Sequence, residues 1–328
     1  MPPDAADGSL SPILISGGTG SYGAALARYL LDHTDCRIRL YSRGEHRQNE
    51  LAAALEHNPR LTFIIGDIRN ARTLRHAADG CAAIVHAAAL KAVGNGESNA
   101  DEFAETNITG TRNVIEAALL ARVPRTLFIS SDKSVQAINL YGATKQVAEK
   151  LITQANRLGV TRGCRFASIR GGNIWLSQGS VGAAWRAARA QGRPIVVNGP
   201  DTTRFHLLMP DWIALGWRVL SRMHGGEIFV PKARAWRLGD LADAFAPGAW
   251  LEDGARPGDK LHETLIAHDE APRTVDAGAF YVIEPHVALR QVWNYRPWPG
   301  APVPAGWCYS SDGAARLGVA ELAELARG

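Results

Sequence analysis

Cysteine is scarce in this 328-residue chain, and its four copies, Cys36, Cys81, Cys164 and Cys308, stand far apart with no CxxC pair among them. Clustered thiols are what redox motifs and structural zinc sites need, so isolated, reduced and mostly buried thiols are expected, with no metal site, in a reducing cytoplasm. Dense Lys/Arg runs are also missing. A formal charge of +4 suits a small anionic ligand and argues against nucleic acid. No apolar run is long enough to span a bilayer, and MPPDAADGSLSP at the start has no basic stretch followed by an apolar core, so neither membrane anchoring nor secretion is expected.

What is present is globular: 46% hydrophobic and 21% charged residues, far from compositions that stay disordered. Apolar strand-like runs at Ile13–Ser16, Arg37–Tyr41, Leu61–Ile65, Ala82–Ala87, Thr126–Ser130 and Cys164–Arg170 alternate with helical spacing at Tyr22–Leu31, Leu51–Leu55, Ala71–Ala78, Glu102–Ala121 and Tyr141–Leu158. Such βα repeats predict an α/β fold with a doubly wound parallel sheet, covered on both faces. After Gly179 the rhythm changes to short strands, such as Pro194–Val197 and Glu227–Val230, among Pro and Gly, ending in a Trp/Pro-dense stretch at Trp293–Trp307. The expected division is a dinucleotide-binding domain over 10–180, to which 205–230 returns, and a smaller C-terminal substrate lobe over 181–204 and 231–328. Trp293, Trp298 and Trp307 are expected to pack the lobe's core.

The stretch Ile13–Gly23 places GxxGxxG between the first strand and the first helix. Gly17 permits the tight turn, Gly20 lets backbone approach a pyrophosphate, and Gly23 lets the helix pack against the sheet. The helix N-terminus then offers N–H groups to the anion. Thr19, Ser21 and Tyr22 complete this loop. The second strand ends in Tyr41-Ser42-Arg43, with no carboxylate for a ribose 2′-OH. Ser42 and Arg43 suit a 2′-phosphate, so NADP is expected over NAD. Arg47 either assists or is a solvated helix residue. Asp67, followed by Ile68, either accepts from the adenine amino group or caps the next helix.

Tyr141-Gly142-Ala143-Thr144-Lys145 is YxxxK. Four-residue spacing puts Tyr141 and Lys145 on one helix face, where the ammonium and a bound nicotinamide's charge favour the phenolate. The preceding strand ends in Ser130-Ser131-Asp132-Lys133. Ser131 can bond the reacting oxygen. Asp132 and Lys133 discriminate further: loss of water from a 4-keto sugar needs a base for the C5 proton and an acid for the C6 oxygen. A neutral Lys133 and a protonated Asp132 would fill those roles, sharing one proton. An epimerase or net oxidoreductase needs only the Tyr141–Lys145 pair and is the alternative.

The stretches ILISGGTGSYG, YSRGEHRQNEL, IIGDIR, HAAALK, TNITGTRNVIEAA, SSDKS, INLYGATK, RGGNI, RMHGGEIFVPK and RPGDKLHE follow in order over roughly residues 12 to 285, with a weaker echo at Trp307–Asp312. Together they resemble extended short-chain dehydrogenases/reductases with a Rossmann domain, and within those the inverting UDP-N-acetylglucosamine 4,6-dehydratases of the capsule and pseudaminic acid group. The resemblance implies an NADP-dependent lyase acting on a UDP-sugar, assembled as a homo-oligomer (dimer or hexamer). It makes Asp132, Lys133 and Tyr141 catalytic and Lys145 cofactor-binding. It also implies that Ala87, Ala88, Ala89 and Lys91 line the nicotinamide ribose and the sugar, and that Asn107 supports the active-site lysine. Asn173, Val197, Arg204, Arg256 and Glu263 would hold substrate, with surface charge as the plainer alternative for Arg204 and Arg256. Three departures cluster around the implied sugar pocket. Gly171 stands where the family has an aromatic, Ala92-Val93-Gly94 replaces His-Val-Pro, and His206-Leu207-Leu208 replaces an aromatic and Thr. These are expected to enlarge or reshape the pocket.

Overall fold

The computed structural model describes residues 10–290 and 295–327. Its first part alternates as β1 (Ile13–Ser16), α1 (Ser21–His33), β2 (Ile38–Ser42), α2 (Glu45–Ala54), β3 (Leu61–Ile65), α3 (Ala71–Ala78) and β4 (Ala83–His86). Every residue of β1 and β4 is buried, as in parallel strands covered on both faces. Helices α4 (Val93–Gly96) and α5 (Ala100–Ala104) lead through a π-helical turn, Glu105–Thr109, into α6 (Gly110–Leu120). The single helix expected over Glu102–Ala121 is thus interrupted. The wider turn accommodates an extra residue, and it buries Thr106 and Asn107. Then come β5 (Arg125–Ser131), α7 (Leu140–Gly159), β6 (Arg165–Gly171) and β7 (Asn173–Ile174). Asn139 starts α7 by accepting the Gly142 N–H at 2.8 Å, a side-chain cap for a helix whose first residues carry YxxxK.

The second part runs α8 (Val181–Ala190), β8 (Val196–Asn198), β9 (Thr203–Leu207), α9 (Met209–Arg222), β10 (Ile228–Pro231), β11 (Arg234–Arg237), α10 (Leu238–Phe245), β12 (Leu251–Asp253) and β13 (Thr264–Ile266). It closes with β14 (Thr274–Asp276), β15 (Phe280–Ile283), α11 (Val287–Arg290), β16 (Ala301–Pro302), β17 (Tyr309–Ser310) and α12 (Val319–Arg327).

Ten strands form one sheet in the order β16-β14-β15-β10-β6-β5-β4-β1-β2-β3. From β3 to β10 the neighbours are parallel, and β15, β14 and β16 add antiparallel at the far edge. The strand order reverses at β1, where a doubly wound sheet opens its ligand crevice. One face is covered by α1 and α9, with Leu26, Leu30, Trp212 and Trp217 in its core. The other is covered by α3, α6 and α7, through Leu74, Val114 and Ile152. A third cluster, including Trp185, Val197, Trp236 and Phe245, is the lobe's own core.

The lobe is smaller than 181–204 plus 231–328. Strands β14, β15 and β16 belong to the large sheet, because Val282 and Ile283 are fully buried beside β10. Conversely, β9 pairs with β7 and β11 in a separate three-stranded sheet, so the return to the large domain begins after it, at α9. Trp298 packs against Phe229 and Phe280 and donates Nε1–H to Glu227 at 3.0 Å. Trp307 stacks on Tyr309. Both serve packing, as expected, but Trp298 does so at the sheet edge. Trp293 lies outside the described residues. Cys36, Cys81 and Cys164 are buried free thiols, and Cys308 is half-buried. No helix among the described residues is long and apolar enough to cross a membrane.

Candidate active site

The glycine loop joins β1 to α1 at the crevice. Gly17 has φ +73, and a Cβ there would lie 2.7 Å from the Ala88 nitrogen, so the turn and the close pass of the 87–89 segment both require glycine. A Cβ at Gly23 would sit 2.5 Å from the Gly17 carbonyl oxygen. Gly20 caps α1 without a side-chain acceptor, and the helix has no acid in its first turn. That leaves the positive end of α1 available to a diphosphate. These features fit a bound dinucleotide.

Around the loop, several expected contacts resolve into particular atoms. Ser21 Oγ accepts the Gln178 N–H at 3.1 Å, and Lys91 Nζ donates to the Gln178 carbonyl at 2.7 Å. Gln178 thus straps the crevice, a residue that sequence reasoning missed because no motif marks it. Thr19 lies on the loop itself. The Tyr22 side chain turns away, packing edge-on against Trp212 at 6.3 Å, so toward a cofactor this residue has its backbone to offer. Likewise Ile68 is buried in the core, where a Cβ on Gly110 would meet it at 2.5 Å.

Ser42 Oγ accepts from Gln48 Nε2 at 2.9 Å. Arg43 is half-exposed, 3.9 Å from Asp67, and Arg47 is exposed on α2. Asp67 is held by the Arg69 backbone N–H at 2.9 Å and its guanidinium at 2.8 Å. Burial raises its carboxyl, but Arg69 and Arg43 outweigh that and lower it. The cap of α3 is Asn70, which accepts from the Arg72 and Thr73 N–H groups, so Asp67 does not cap that helix.

Behind the site runs a buried polar chain. Thr111 donates to the Asn107 carbonyl at 2.6 Å, so it accepts from His86 Nε2–H at 3.0 Å, leaving Nδ1 to accept from Ser16 Oγ–H at 2.7 Å. Burial, with the Lys145 charge, pushes His86 down to about 3, so the ring is neutral. Asn107 binds both backbone groups of Leu90, at 2.8 and 2.9 Å, and the Thr144 hydroxyl at 2.9 Å. Its side-chain bonds go to these groups rather than to Lys145: it fixes the 87–91 segment against α7, beside the lysine it was expected to hold.

Lys145 donates to the Ile129 carbonyl at 2.7 Å and lies 4.3 Å from the Phe128 ring centroid. Burial pulls its ammonium down to about 7. Tyr141, one turn earlier, is buried. Burial, with Asp132 and Glu263, raises its phenol above the ordinary value, although Lys133 and a hydrogen bond with Ser131 act in the opposite direction. Lys133 is thus the leading cation acting on Tyr141.

The centre of the site is Lys133, at the foot of β5. Its Nζ lies 3.1 Å from Asp132 Oδ1 and 3.2 Å from Glu263 Oε1. Both acids are almost wholly buried. Ser131 Oγ donates to Asp132 Oδ1 at 2.9 Å. Burial alone would lower Lys133, but the two carboxylates outweigh it and hold the ammonium above its ordinary value. The resting lysine is therefore charged, which corrects the expectation of a neutral base. The acids separate: burial raises Asp132, whereas Lys133, Arg204 and Lys260 overcome burial at Glu263 and lower it. Asp132 Oδ2, Glu263 Oε2 and Asn173 Oδ1 are buried without hydrogen-bond partners, as in a site shaped for a ligand that supplies them. Lys260, 3.8 Å from Glu263, was missed although RPGDKLHE contains it.

The remaining substrate candidates divide. Arg204 Nη1 donates to the Thr203 and Lys260 carbonyls at 2.8 and 2.9 Å, so it is neither surface charge nor a free fork. Arg256 is exposed, 3.5 Å from Asp259. The Val197 side chain is fully buried in the lobe's core, which corrects its placement as a residue facing substrate. Gly171 does not enlarge the pocket either: the Trp212 ring fills the space, 2.7 Å from where a Cβ would stand. Gly94, by contrast, has open space around it.

A family described as "Polysaccharide biosynthesis protein" matches residues 13–285. The chain belongs to this family. Within and around the polysaccharide biosynthesis family, the UDP-N-acetylglucosamine 4,6-dehydratase (inverting) of Campylobacter jejuni is 36% identical over 308 residues, 92% of each chain. A UDP-glucose 4-epimerase of Rickettsia bellii is 35% identical over 281 residues, 83% of this chain and 82% of that protein. Among solved structures, Pen from Bacillus thuringiensis, 30% identical, superposes with a TM-score of 0.88 over 96% of both chains. The fold is accordingly that of the extended short-chain dehydrogenases/reductases.

Proposed function

We propose that this protein is an NADP-dependent nucleotide-sugar 4,6-dehydratase acting on a UDP-N-acetylhexosamine. The observation that carries the reading is the Lys133 ammonium set between two buried carboxylates beside Tyr141. An epimerase needs no such group. NADP is supported by Arg43 at the end of β2, where no acid competes with a 2′-phosphate and Asp67 is neutralised by Arg69.

The bound nicotinamide would accept hydride from C4 and return it at C6. The protein's own groups handle the protons. Tyr141, ionised to the phenolate that the Lys133 charge and a bound nicotinamide's charge favour, takes the proton of the C4 hydroxyl while Ser131 bonds the reacting oxygen. The C4 ketone then acidifies C5–H. Lys133 becomes a base by passing one proton to Asp132, the acid that burial disposes to hold it, while Glu263 stays ionised. The free amine takes the C5 proton. Asp132 returns its proton to the C6 hydroxyl, which departs as water, leaving a C5–C6 double bond conjugated with the ketone. Hydride at C6 and a proton at C5 complete a 4-keto-6-deoxy sugar, with C5 inverted as the name of the Campylobacter relative states. The same reading places the enzyme in the cytoplasm as a homo-oligomer.

The test is incubation with UDP-N-acetylglucosamine and trace NADP+ in deuterated water, followed by NMR of the product. A 4-keto-6-deoxy sugar carrying deuterium at C5 is expected. A C4 epimer without loss of water would refute dehydration in favour of the epimerase chemistry named for the Rickettsia relative.

A further inference from the structure

Arg170, the next-to-last residue of β6 in the RGGN stretch, takes no part in the steps above, yet it is buried. Its guanidinium binds two carboxylates through paired hydrogen bonds. Nε and Nη2 reach Glu149 at 3.1 and 2.7 Å, and Nη1 and Nη2 reach Glu270 at 2.9 and 3.1 Å. Nη1 also donates to the Leu265 carbonyl at 2.7 Å. Glu149 belongs to α7, two turns after Tyr141 and one after Lys145, and it receives the Ser134 hydroxyl at 2.9 Å. Ser134 follows Lys133 directly. On the other side, Leu265 lies two residues after Glu263, and Glu270 also accepts the Ala267 N–H at 3.0 Å.

One planar cation therefore grips α7, to which Ser134 ties the Lys133 turn, and the strand that directly follows Glu263. A guanidinium suits this because its fork fixes direction as well as charge. The outer edge of the Glu263 segment is held by Ser311 Oγ at 2.9 Å. Two further bonds join it to the Lys133 side, Lys260 Nζ to the Val135 carbonyl and Asn139 Nδ2 to the Gly258 carbonyl at 2.8 Å, and Arg170 is the buried, doubly paired tie among them.

We propose that Arg170, with Glu149 and Glu270, is a positioning device of the active site: it sets the Lys133–Glu263 separation and so keeps Lys133 doubly paired. The consequence for turnover rests on the dehydratase reading; the pairing itself does not.

The test therefore reads Lys133 without substrate. The chain has six lysines, so competitive acetylation followed by peptide mass spectrometry resolves each one, with exposed Lys150 as the internal reference. In the intact protein Lys133 should label weakly at about pH 9, and Glu263→Gln, which removes one carboxylate outright, should raise its relative labelling about tenfold or more, since each unit of lowered pKa yields about ten times more free amine. Glu270→Gln, which loosens the lobe's grip on Arg170, should raise it in the same direction. Combining the two substitutions should add less than their product, because both act through one pair. In turnover, Glu270→Gln should lower kcat about tenfold and move its pH dependence to lower pH, with KM changed less than about threefold. A role confined to stability would leave the pH dependence where it is.

Arg170→Lys, which keeps the charge and loses the fork, carries the same expectation should Glu270→Gln not fold. Lys133 labelling in both variants equal to wild type, with Glu263→Gln raising it, would overturn the proposal. So would ready labelling of Lys133 in the wild type, or loss of fold in both variants, which would make the hub a requirement of the core rather than of the site. Failure of the wild type to release water from the sugar would instead strike the dehydratase reading and leave the labelling result standing.

Discussion

Lys145→Met should stabilise the cofactor-free protein at low pH and lose that advantage as pH rises, while abolishing catalysis. The Lys145 ammonium is buried against the Ile129 carbonyl and the Phe128 ring, and the Glu149 carboxylate offsets only part of the cost of burying it. Burial takes it from 10.5 down to about 7. In the unfolded chain the amine returns to its ordinary value. Between those two pH values the unfolded state holds more protons than the folded one, so stability rises with pH there, at about 1.4 kcal/mol per pH unit. Methionine matches the chain length without the charge and has no such slope. Urea unfolding of both proteins at about pH 6 and about pH 9 should therefore show the difference between variant and wild type shrinking by about 3 kcal/mol. Fixed contributions, such as the lost bond to Ile129, cancel in that comparison, and His86, which the Lys145 charge helps to lower, stays neutral across this range. A difference that stays constant across the range would mean that the lysine is solvated, and the account of how this crevice holds its charges would fall with it.

Gly17→Ala should weaken dinucleotide binding by more than about tenfold and destabilise the protein by about 2 kcal/mol, because the new methyl meets the Ala88 backbone and the residue sits in the left-handed region; fluorescence titration with NADP checks the first and thermal unfolding the second. Lys133→Ala should abolish loss of water while leaving NADP affinity within about threefold of wild type, and loss of both would assign Lys133 a structural role.

The dinucleotide half was legible because its signals are local. A four-residue apolar strand, three glycines and a helix occupy eleven consecutive positions from Ile13 to Gly23, and YxxxK fits within two turns of α7. The lobe was less legible. Strands β14 and β16, three and two residues long, carry no alternation to read, so their place in the large sheet emerges from burial beside β10 alone. The same holds for individual side chains. Val197 looks like any strand valine until its neighbours Trp185 and Trp236 close over it. Asn107 lies in a π-turn that ordinary helical spacing cannot anticipate. The charge of Lys133 depends on an acid 130 positions later in the chain, which no motif spacing encodes. The missing aromatic at Gly171 suggested room where Trp212, a distant residue, supplies the bulk.

The antiparallel edge has a consequence for how the chain is made. Strand β10 is wholly buried, and on one side its backbone pairs with Phe280–Ile283. When the ribosome has released β10 but not yet β15, an apolar edge with unpaired backbone groups faces water, the condition under which nascent sheets recruit foreign strands. A product of translation that stops between these two points should accumulate as aggregate, even though every residue of the glycine loop and of YxxxK has already been synthesised.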